Sequence, residues 1–114
     1  MSEVRESLGR IEVAPEVLGT IAYFATLKVD GVAKMASVPA DVTRLLRRGT
    51  RHDGLVLDLS DDKVKFDIYV IMNRDVNVME TSRAIQKAVA EAMDTMVDIP
   101  IDAINIHVED VVGT

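Results

Sequence analysis

The stretch Lys63 to Asp110 reads as strand, long helix, strand, and it constrains the fold more than any other part of the chain. Val64, Phe66, Ile68, Val70 and Met72 alternate with Lys63, Lys65, Asp67, Tyr69 and Ile71, the period of a strand with one buried face. Asn77 followed by Glu80 forms a capping box that starts a helix, because the Asn oxygen can accept an early amide N–H and Glu80 can reach back. The apolar stripe of that helix runs Val78, Ile85, Val89, Met93 and Met96, with small Ser82 and Ala92 where close approach is needed. Lys87 and Glu91 add an i,i+4 pair on the wet side. Pro100 stops the helix and biases Ile99 toward extended backbone. The closing strand then turns Ile104, Ile106 and Val108 inward and Ala103, Asn105, His107 and Glu109 outward. A strand–helix–strand unit of this length implies a crossover that places its two strands parallel in one sheet.

The rest of the chain extends this unit. Residues 1–8 are polar and without a period, a flexible lead-in, and residues 9–112 are expected to form a single domain. Arg10, Ile11, Glu12 and Val13 alternate, which predicts a first strand with Ile11 and Val13 inward. Pro15 and Glu16 suit a first helical turn, and a helix to about Lys28 would carry Val17, Leu18, Ile21, Ala22, Phe24 and Ala25 on one stripe. The turn pair Asp30-Gly31 precedes a short edge strand through Met35. After the loop around Pro39, Asp41 could cap a short helix through Leu45 and Leu46 that Gly49 ends. From Gly54, Leu55, Leu57 and Leu59 alternate with Val56 and Asp58, and Ser60-Asp61-Asp62 turns the chain back into an antiparallel hairpin.

The expected fold is α+β: a two-layer sandwich with a mixed four- to five-stranded sheet, two main helices on one face and the other face open. The open face would carry Val56, Asp58, Lys65, Asp67, Tyr69, Ile71, Asn105 and His107. Tyr and Ile among charges make Lys65, Asp67, Tyr69, Ile71, Asn105 and His107 a candidate protein-binding surface. A solvated face with scattered apolar residues is the competing reading.

Composition narrows the function classes. A chain of 114 residues can bury roughly two-thirds of its unfolded surface in one core. With 4% aromatics and six Met, that core is aliphatic and packs adaptably. No cysteine is present, which removes disulfides, thiolate metal sites and a cysteine nucleophile. The charged start MSEVRESLGR lacks the apolar region of a signal peptide, and no run reaches the roughly 20 apolar residues of a membrane span. A cytoplasmic location is the expectation. The net charge of −6 opposes nonspecific binding to nucleic acid, so nucleic acid is not an expected partner of the chain as a whole.

The strongest charge feature is TRLLRRGTRH, where Arg44, Arg47, Arg48 and Arg51 cluster. Such a group can bind phosphate bidentately, and it is also what a solvated helix end looks like. His52 and His107 are the two histidines, and neither has the spacing of a zinc site; surface or hydrogen-bonding roles are expected for both. Asp61-Asp62 and Glu109-Asp110 read as solvated turn and strand-end carboxylates, not an acid/base pair. Gly-rich phosphate loops and a GxSxG elbow are missing, so no catalytic residue, cofactor or metal is assigned.

GRIEVAPEVLGTIAYFATLKVDGVAKM resembles the opening of the alkaline shock protein family of bacterial envelope-stress proteins. The second half is more similar still: the Asp67 strand, Val76-Asn77 before the helix, Ile85-Gln86 within it, and the closing Ile104-Asn105-Ile106-His107-Val108-Glu109. The resemblance implies a small cytoplasmic bacterial scaffold or binding protein without enzymatic activity. It also implies homo-oligomerisation and, in some members, a partner protein that holds it near the membrane. Family members often carry a glycine-rich middle where this chain has TRLLRRGTRH, and a Tyr-Gly where it has Asn73-Arg74-Asp75. The alternative of a different class is a regulatory protein that binds a polyanion or nucleic acid through the cluster Arg44 to Arg51.

Overall fold

The computed structural model describes residues 8–40, 50–52 and 54–112. Its elements run α1 (Pro15–Leu27), β1 (Val32–Met35), β2 (Thr50–His52), β3 (Leu55–Ser60), β4 (Lys63–Met72), α2 (Val78–Met96) and β5 (Ile101–Val111). The strand–helix–strand unit is therefore β4–α2–β5, and the expected α+β two-layer architecture stands. Pro15 opens α1 without a side-chain cap. At α2 the Asn77 side chain accepts the Glu80 amide at 3.0 Å, satisfying one of the orphan donors of the first turn.

The sheet is organised around β4. One of its edges pairs in parallel with β5 over Val64 to Met72. The opposite edge pairs antiparallel with β3 over Lys63 to Ile68 and then with β1 over Val70 to Met72. β2 adds outside β3. The β3–β4 hairpin closes through Asp61 and Asp62, both at positive φ (53° and 61°), the backbone hand that matches strand twist in a two-residue turn. β1 and β3 meet end to end at Tyr69: its carbonyl accepts the Ala36 amide at 2.8 Å and its N–H donates to the Gly54 carbonyl at 2.7 Å. Glycine is required there, since φ of Gly54 is +67° and a Cβ would lie 2.6 Å from the Ala36 carbonyl oxygen.

The core fills the space between the sheet and both helices. Leu55, Leu57, Val64, Phe66, Ile68, Val70 and Met72 meet Leu18 and Ala22 of α1 and Ile85, Val89 and Met93 of α2, all buried. All five inward residues expected on β4 are fully buried. Other expectations fail for physical reasons. Residues 9–13 form no strand: alternation alone does not make one where no neighbouring strand among the described residues supplies a partner, and Ile11 is 91% exposed. β2 takes the fifth place in the sheet instead. Leu59 is exposed at the hairpin end, and Val17, Phe24, Val78 and Met96 stay exposed at the rims of their helical stripes. The short helix expected after Asp41 lies outside the described residues.

Candidate functional site

Period-two geometry sends Lys65, Asp67, Tyr69 and Ile71 of β4 to the face away from the helices. The parallel register sets Asp67 beside Asn105 and Tyr69 beside His107. These side chains join into one cluster. Oδ1 of Asp67 accepts the Asn105 side-chain amide at 3.2 Å and lies 2.9 Å from Nε2 of His107, so the imidazole donates from that nitrogen when it carries the proton. The imidazole also stacks on the Tyr69 ring, centroids 4.3 Å apart and planes 11° from parallel. A partly exposed carboxylate thus fixes an amide and an imidazole from the neighbouring strand. His107 is fixed on two sides, by a carboxylate and by a ring. Lys65 stands directly across from Asp58 of β3, an opposite-charge cross-strand pair position.

The face is less open than alternation alone implies. Tyr69 and Val56 are 4% and 2% exposed, packed with Ala36 into a second small core against which Val38 and Ile71 rest. The segment after β1 folds across this part of the sheet, held by the Ala36–Tyr69 hydrogen bond. Tyr69 is therefore a support beneath the surface, while Lys65, Asp67, Ile71, Asn105 and His107 keep accessible area. Burial, then the charges of Asp67 and Glu109, push the Tyr69 phenol above its ordinary pKa. The phenol stays neutral through the physiological range.

The other sequence-predicted positions are not brought to this cluster. Arg44, Arg47 and Arg48 lie outside the described residues, as do the side chains of Arg51 and His52, whose backbone forms β2 against Val56 and Leu55. Among the described residues no three His, Cys, Asp or Glu side chains come together as a metal-binding set. Sequence reasoning missed the cover over Tyr69. The signal available for it was Val38, apolar in a loop beside Pro39, together with a glycine at Gly54. It also missed a groove of about 660 Å³ between α1 and α2, lined by Ile21, Phe24, Ala25, Ala88, Ala92 and Met96 among others.

A mixed sheet with one helical layer and a small hydrogen-bonded polar patch on its other face defines a compact α+β domain. The chain belongs to the alkaline shock protein 23 family, described by a cell envelope-related function, whose profile matches residues 3–113. It is 31% identical over 102 residues to the uncharacterized protein YqhY of Bacillus subtilis (strain 168), covering 89% of this chain and 76% of that one. To the uncharacterized protein Spy1535 of Streptococcus pyogenes serotype M6 it is 35% identical over 109 residues, covering 95% and 83%. The uncharacterized protein YloU of Bacillus subtilis (strain 168) is 24% identical over 112 residues, covering 96% and 93%. Among the described residues no helix is long and apolar enough to cross a membrane.

Proposed function

We propose that the protein is a non-catalytic binding and scaffold protein of the cell envelope, which associates with itself and acts through protein–protein contacts. Its location would be the cytoplasm, held near the membrane by a membrane-anchored partner protein. The observation that carries this reading is the Asp67–Asn105–His107 cluster. Its polar groups are oriented by one another and by the Tyr69 ring before any partner arrives, so little side-chain freedom remains to be lost on binding. Lys65 and Ile71 flank it with a cation and an apolar contact. Membership in a family with a cell envelope-related function supports the setting.

The test uses Lys65→Glu, Asn105→Ala and His107→Ala in the full chain, with light scattering for self-association and capture of partners from a native lysate. Each variant should keep its thermal midpoint to within a few degrees and lose affinity by roughly tenfold, the loss of about 1.4 kcal/mol. Unchanged association and capture in all three would reject this face. Tyr69 is unsuitable as a probe of this face because it is buried and truncating its ring disturbs the sheet cover.

A further inference from the structure

Residues 9–14 leave apolar surface uncovered. Ile11 is 91% exposed, the most of the large apolar residues among those described, and Val13 36%. Arg10 and Glu12 form a 3.2 Å ion pair, which puts both on one side and leaves Ile11 and Val13 to the other. Among the described residues no backbone hydrogen bond joins residues 9–13 to the sheet.

The outer edge of β5 has the complementary deficit. β5 pairs with β4 and, among the described residues, with no other strand. Phe66, Ile68 and Val70 of β4 are fully buried, yet their register partners Ile104, Ile106 and Val108 are only partly so. One more strand beyond β5, with apolar residues on the helix side, would cover that remaining surface. The Gln86 side-chain amide donates to the Ile104 carbonyl at 2.9 Å, which marks this carbonyl as pointing to the open side and takes that one acceptor. Ile106 and Val108 follow on the same side by alternation and face no other strand.

We propose that residues 9–14 of one copy add as a strand to the β5 edge of a second copy, at Ile106 and Val108. The inference rests on the self-association proposed above and names a surface for it other than the polar patch. Ile11 and Val13 would pack toward Ile106 and Val108 under α2, and the Arg10–Glu12 pair would face the side that carries Glu109. The edge strand holds Asp102, Glu109 and Asp110, so two β5 edges repel one another, whereas residues 9–14, with Arg10 paired to Glu12, carry no net charge and meet no such repulsion. The donor segment leaves α1, which packs over β1, β2 and β3, whereas β5 lies under α2 on the other half of the sheet. A second copy is thus the source of the added strand. Reciprocal exchange closes a dimer, and one-way exchange leaves open ends for further growth.

The experiment compares the wild-type chain with an Ile11→Asp, Val13→Asp double variant by light scattering across a concentration series, with amide hydrogen exchange read residue by residue. Both positions have accessible side chains, so circular dichroism and the thermal midpoint should match wild type. Wild-type mass should rise with concentration, and the Ile106 and Val108 amides should gain at least tenfold protection as it does. The double variant should lose both effects. Wild-type association that survives in the double variant overturns strand exchange and leaves self-association through another face. A wild-type chain that stays monomeric overturns strand exchange and self-association together. Protection of the Ile106 and Val108 amides that is independent of concentration and lost in the double variant overturns exchange in favour of pairing within one copy.

Discussion

Nε2 of His107 and Oδ1 of Asp67 lie 2.9 Å apart across two parallel strands, 40 residues apart in the chain. The contact is diagonal, since the register partner of Asp67 is Asn105, two residues earlier on β5. One carboxylate oxygen thus ties two positions of the edge strand to the centre of the sheet. Removing it with Asp67→Ala should cost about 1–2 kcal/mol, the net worth of two hydrogen bonds to a charged acceptor that is part solvated. His107→Ala should cost less, and the double variant should cost less than the sum by about 0.5–1 kcal/mol, because the two share one interaction. Urea unfolding of the four proteins measures this. Additive losses would show that the pair is not coupled.

Tyr69 gives the sheet a signature at high pH. Its folded-state pKa is raised above the ordinary 10.0 by burial, then by Asp67 and Glu109. The unfolded chain therefore ionises this phenol first, and ionisation of the unfolded state draws the equilibrium toward unfolding. Its contribution is fully present below pH 10 and is lost as pH rises through the folded pKa. Tyr69→Phe should remove this part of the alkaline loss while other lysines and tyrosines still titrate. Thermal midpoints between pH 8 and 11 provide the check, and identical slopes for both proteins would contradict the assignment.

The parts of this architecture that were readable in the sequence are those in which neighbours in the chain decide the outcome. The Asn77 cap, the Pro100 stop and the strict alternation from Val64 to Met72 each act within a few residues, and β4, α2 and β5 follow from them. What alternation cannot show is whether a partner strand exists, and Ile11 and Val13 alternate as well as any strand while remaining exposed. It also cannot show what lies over a face. Val56 and Tyr69 were assigned to the open side by period alone, and Ala36 buries them from a part of the chain 20 to 33 residues away by numbering. For the polar cluster, the outward lists of both strands were legible, but joining Asp67 to His107 needs the parallel register, which depends on how the α2 crossover packs.

Gly54 tests how tightly β1 and β3 are joined on β4. Gly54→Ala would force a side chain into φ +67° with its Cβ 2.6 Å from the Ala36 carbonyl and 2.9 Å from the Tyr69 carbonyl. Both neighbours are backbone, so neither can swing aside. The substitution should destabilise the domain by well over about 1 kcal/mol. It should also expose Tyr69, read as a shift in its near-ultraviolet dichroism. A variant with wild-type stability and spectrum would mean that the β1–β3 junction is not constrained as described.

The β3–β4 hairpin offers the opposite sign. Asp61 and Asp62 both occupy positive φ, and a residue with a Cβ there works against the steric preference of L-amino acids, about 1 kcal/mol or more at each position. Asp tolerates the conformation better than most residues, but glycine at the second turn position is the stronger choice for this geometry. Asp62→Gly also removes one of two adjacent carboxylates in a chain of net charge −6. Against these gains stands the greater freedom of glycine in the unfolded chain. The balance should be a stabilisation of about 0.5 kcal/mol, with the Ser60–Lys63 register unchanged. Urea denaturation with an unaltered m-value would establish it, and a loss of stability would show that the Asp62 side chain contributes more to the turn than its backbone strain costs.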